Sequence, residues 1–163
     1  MDNRNRDTEN SETVSSGLSS FIWRLFGHED KGIRCKASHV LLRATLLGNE
    51  DMTKNISELY DKSLPKWYMD GGNYYFIESA KLWYLASCLR ITKMSPEHLL
   101  SLYSFFKGIA CAKGTIHALH RRIAKDICLQ LAPVCEPEAI EKLASCDKCI
   151  VTNSVTSRPR HLH

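Results

Sequence analysis

The run LLSLYSFF, residues 99–106, is apolar on nearly every side of any regular backbone it can adopt, so it has to be surrounded by other parts of the fold. Ser95-Pro96-Glu97 opens it with a hydroxyl cap, a proline suited to the first helical position and an acid that faces the helix dipole. Lys107 breaks the run far short of the ~20 apolar residues needed to cross a bilayer. The expectation is a central, buried helix packed among others.

The remaining chain offers those partners. Leu18, Phe21, Ile22, Leu25 and Phe26 hold helical spacing up to Gly27, and this piece is too short to stand alone, so it must dock on its own body or on a partner. Helical periods also cover residues 29–47, with Gly48-Asn49 as a stop, and residues 51–64, closed by Pro65. A long helix is expected from Asn73 to about Thr92, another over residues 116–132 ended by Pro133, and a short last one from Pro137 to near Cys146. No alternating β pattern and no repeat period is present in the sequence. With 163 residues, 44% of them hydrophobic and 25% charged, the reading is one all-α domain, a compact bundle of six to seven helices over residues 17–149. Residues 1–16 have the composition of a disordered polar tail, and residues 150–163 that of a loose basic one.

Charge is concentrated rather than large. The formal net charge is +4, yet residues 107–125 carry Lys107, Lys113, Arg121, Arg122 and Lys125 with no acid among them. On a helix whose apolar positions are Ile116, Leu119, Ile123, Ile127 and Leu131, the residues Lys113, His117, Arg121 and Lys125 recur every four positions. They predict one outward stripe with Arg122 beside it. Such a stripe suits an acidic partner: a carboxylate-rich protein face, an anionic lipid surface or a phosphate backbone. It is also what an ordinary surface helix looks like, with acids such as Glu78 or Glu136 free to sit beside it.

Seven cysteines and an N-terminus without an apolar signal core point to a reducing intracellular compartment, cytoplasm or nucleus. Cys128, Cys135, Cys146 and Cys149 form C-x6-C-x10-C-x2-C, a possible zinc set that His161 and His163 could complete. The single CxxC lacks a second CxxC or an HxxxH, so the expectation is ordinary thiols and no cofactor. No phosphate-cradling glycine loop, GxSxG or HExxH is found, and a non-enzymatic role without a small-molecule substrate is expected.

The stretch SSFIWRLFG, residues 19–27, is similar to a segment near the start of the adenoviral apoptosis-suppressing small T antigens. The likeness spans nine residues and carries over no residue roles. It implies one form of interaction protein, a bundle that presents a groove to an amphipathic partner helix. The sequence thus predicts a regulatory or interaction protein, of the viral or host-manipulating accessory kind. Phe21, Trp23 and Phe26 would make apolar contacts with a partner, and the basic helix would meet an acidic surface. The competing expectation is an RNA- or single-stranded-DNA-binding protein, with Lys107, Lys113, His117, Arg121, Arg122 and Lys125 on phosphates.

Overall fold

The computed structural model describes residues 3–62, 73–112 and 117–145. In that span every regular element is helical: α1 (Asn3–Phe26), α2 (Lys31–Leu46), α3 (Glu50–Asp61), α4 (Asn73–Met94), α5 (Tyr103–Ala110), α6 (Ala118–Cys135) and α7 (Ile140–Ser145). Two 3-10 segments, Pro96–Leu102 and Pro137–Ala139, lead into α5 and α7. The chain is an all-α bundle, as its apolar periods predict.

Local chemistry sets several boundaries. Asp30 Oδ1 accepts from the N–H groups of Gly32 at 2.6 Å and Ile33 at 3.2 Å, satisfying two orphan donors at the start of α2. Gly48, at φ 92, turns the chain from α2 toward α3 in a conformation that side chains disfavour. Gly27 serves closeness instead: a Cβ there would lie 2.8 Å from the Phe76 carbonyl oxygen, so only glycine lets the end of α1 meet the start of α4.

Four expectations change. Helix α1 begins at Asn3, inside the stretch whose composition suggests a disordered tail, because α1 continues unbroken from its docked C-terminal turns. Pro133 does not end α6, which runs on to Cys135. A proline one turn from the end removes one backbone donor, and Glu136 N–H still reaches the Ala132 carbonyl at 2.8 Å. Ser95 makes no side-chain cap, and Pro96–Leu102 winds as a 3-10 segment before α5. The apolar run is therefore divided between two short pieces; Leu99, Leu102, Tyr103 and Phe106 are buried as expected, Ser101 and Ser104 are exposed, and the run lies beside the centre of the bundle rather than at it.

The centre is α4, which packs against α1, α2, α6 and the Pro96–Leu102 segment. Tyr84, Leu85, Cys88 and Ile91 from α4 lie fully buried among Phe26, Leu41, Ile56, Leu99, Phe106, Ile127 and Leu131. The most extensive helix pairing is α5 on α6. Hydroxyls thread this core: Ser38 Oγ meets Ser87 Oγ at 2.7 Å, Thr45 Oγ1 meets Thr53 Oγ1 at 2.9 Å, and Tyr84 donates to the Thr53 carbonyl at 2.9 Å. Each of these hydroxyls is satisfied inside an otherwise apolar interior.

Candidate interaction surfaces

The expected basic stripe does not form one outward row. Lys107 donates to Glu136 Oε2 at 2.6 Å, and the Tyr103 hydroxyl donates to the same oxygen at 2.9 Å. These two donors hold the Glu136 carboxyl below its usual range, and Glu136 in turn raises the lysine. His117 caps its own helix, its Nδ1 accepting from Leu119 N–H at 3.2 Å. Arg121 is half-buried and turns back to the Ala112 carbonyl at 3.4 Å. Lys125 is only 7% exposed, so it is part of the interior face of α6. Arg122 remains exposed, and Lys113 lies outside the described residues.

The physical reason is the phase of α6. Its buried face is His120, Ala124, Ile127, Cys128, Leu131 and Ala132, whereas Leu119, expected inside, is exposed. The helix is rotated so that small and amphipathic residues fill the interior near its N-terminus. Outside it presents Arg122, Asp126 and Gln130, a mixed surface. The inward His120 places Nδ1 3.6 Å from Glu78 Oε2 on α4, and its ring stands 5.4 Å from that of His117. Burial depresses the His120 pKa, while Glu78 pulls it upward.

On α1 the proposed apolar contacts separate. Phe26 is fully buried and belongs to the core, which corrects its assignment to a partner surface. Trp23 is half-buried, edge-on to Tyr60 of α3 with ring centroids 6.4 Å apart, and so ties α1 to the body. Phe21 is 56% exposed. With Val14 and Leu18, also exposed, it forms a second apolar stripe at i, i+4, i+7 beside the buried one of Ser19, Ile22 and Phe26.

Cys128, first of the expected zinc set, is buried, and burial pushes its thiol up to about 12. Cys135 is exposed and lies 3.8 Å from the Leu100 carbonyl. Cys146, Cys149, His161 and His163 lie outside the described residues. Among the described residues, no group of three or more His, Cys, Asp or Glu side chains could hold a metal ion.

One cleft of about 360 Å³ opens between α3, α4 and α5, with Tyr60 and Phe105 edge-to-face at 5.4 Å on its wall. Lys81 Nζ stands 5.0 Å over the Tyr60 ring, and burial raises Asp61 against the pull of that lysine. This arrangement offers aromatic contact and one charge of each sign.

A basic row that the sequence reading passed over lies on α2. Lys36, His39 and Arg43 are exposed at i, i+3, i+7, and α2 contains no acid. Beside it, α4 has Arg90 and Lys93 exposed, with no acid after Glu78. The absence of acids along α2 is a signal that was available in the sequence. Among the described residues, no helix is long and apolar enough to cross a membrane. No family model, curated protein or solved structure matches the chain.

Proposed function

We propose that the protein is a non-enzymatic interaction protein, a helical bundle that binds an amphipathic helix of a protein partner along the outer stripe of α1. What carries the reading is the second apolar row of Val14, Leu18 and Phe21, left exposed on a helix whose other row is already buried. The row covers two helical turns, the span over which one helix grips another at an 8–10 Å axial distance. Gly17 lies exposed within it, and no atom stands within 4 Å of where its Cβ would be, so a partner backbone can come close.

The test is a panel of amphipathic helical peptides titrated against the full chain by fluorescence anisotropy. A peptide that binds should lose about thirtyfold or more in affinity with Phe21→Ser, since an exposed aromatic anchor contributes roughly 2 kcal/mol or more. The Arg122→Gln change should leave that affinity within about twofold, because rim charges contribute little. Phe21→Ser should also preserve the urea midpoint, as the side chain is not part of the core. If the tightest peptide binds wild type and Phe21→Ser equally, the stripe is not its docking site.

A further inference from the structure

We infer that the joined outer face of α2 and α4 is a docking surface for an anionic lipid membrane, distinct from the α1 stripe. The two helices run parallel and in step. Arg34 stacks over the Trp83 ring at 5.4 Å and Ser38 Oγ meets Ser87 Oγ at 2.7 Å, and the same sequence offset separates both pairs. Continuing that offset brings Arg90 level with Leu41 and Lys93 level with Ala44. Lys36, His39 and Arg43 on α2 therefore share one exposed side with Arg90 and Lys93 on α4. None of those lysines and arginines has an ion-pair partner among the described residues.

Two large apolar side chains stand at the same end of this pair. Leu47, at the C-cap of α2, is 85% exposed, and Met94, at the last position of α4, is 59% exposed. Val40 adds a third exposed apolar group on α2, beside the Lys36–Arg43 row. Cations that hold a protein at the headgroups, next to apolar side chains able to enter the acyl boundary, are the combination that lies on an anionic bilayer. Nucleic acid would be served by the cations alone and would give the apolar tips nothing to enter, while single-strand binding calls for exposed aromatics, which this row lacks. A peripheral mode of attachment also needs no membrane-crossing helix.

The experiment is co-flotation of the full chain with vesicles of phosphatidylcholine alone and of phosphatidylcholine with phosphatidylserine, at low and at high salt. Binding should require phosphatidylserine and weaken as salt shortens the reach of the surface potential. Arg43→Gln with Lys93→Gln should lower the partition coefficient about 25-fold, at roughly fivefold per cation. Arg43→Lys, which keeps the charge, should retain binding. Leu47→Ser should weaken it about tenfold at low salt, where the cations remain engaged. All these positions are exposed, and an unchanged thermal melt verifies the fold of each variant. No association with phosphatidylserine vesicles at low salt overturns the inference, as does equal association with phosphatidylcholine alone. It is equally overturned if the chain binds a DNA or RNA oligonucleotide while ignoring vesicles, and the face is then a phosphate-backbone site.

Discussion

Phe26 illustrates how one side chain can pass from candidate anchor to structural necessity. It is fully buried, and the Phe26 carbonyl also accepts from Ser79 Oγ at 3.4 Å, where α1 reaches α4. Phe26→Ala should cost about 3–5 kcal/mol in urea denaturation, the range for emptying a well-packed aromatic site. Gly27→Ala should cost about 1–3 kcal/mol by the same measurement, because its new methyl would press on the Phe76 backbone rather than on a movable side chain. His120 supplies a pH dependence. Its folded pKa lies below the ordinary 6.5, so the unfolded chain takes up a proton that the fold refuses. Stability should therefore fall as pH drops from about 7 toward 5. His120→Gln should flatten that slope in urea midpoints measured across the window. Glu136 acts lower down: its depressed carboxyl contributes stability that is present above its unfolded value of 4.5 and is lost as pH falls through the folded one. A slope unchanged in His120→Gln would mean that other groups set the acid sensitivity.

At the scale of elements, helix existence was legible and helix phase was less so. The existence of α2, α3, α4 and α6 follows from apolar spacing, the end of α2 from Gly48 and the start of α4 from Asn73, whereas the Asp30 cap of α2 is seen only in the structure. On α6 the expected inward residues Ile127 and Leu131 are buried, whereas Leu119 at the N-terminal end is exposed. Beside Ile127 and Leu131 the interior also takes His120, Ala124, Lys125, Cys128 and Ala132, small or amphipathic residues whose hydropathy says little about direction. On α1 the apolar positions span more than one stripe, so spacing alone could not say whether Phe21 or Ile22 would be buried. The Pro96–Leu102 segment winds more tightly than the cap signal implied, and so the apolar run was divided between two elements. Gly108 sits on the exposed side of α5, with nothing within 4 Å of where its Cβ would be. Gly108→Ala should raise stability by about 0.5–1 kcal/mol through helix propensity, read as an upward shift of the thermal midpoint. A downward shift would show that this glycine is held for closeness rather than merely tolerated.

For the molecule as a whole, the all-α class was carried by the sequence, whereas its surfaces were not, since a surface depends on how helices are turned against one another. The basic run 107–125 drew attention by density, and folding dispersed it: Lys107 went to Glu136, Arg121 to a backbone carbonyl, Lys125 inward. The row on α2 is sparser in sequence and gains its strength from lying alongside α4. Within that juxtaposition Ser38 of α2 meets Ser87 of α4 directly, and Thr53 of α3 links Thr45 of α2 to Tyr84 of α4. Purely greasy helices can slide past one another at little loss. Here a slip of α4 by one turn would take the Ser38 and Tyr84 hydroxyls from their partners in a dry interior, at about 1–3 kcal/mol apiece, while Ser87 and Thr45 keep the Trp83 and Leu41 carbonyls of their own helices. Those interior alcohols act as alignment pins, and the lattice of positive charge outside keeps its spacing because of groups that no ligand ever touches.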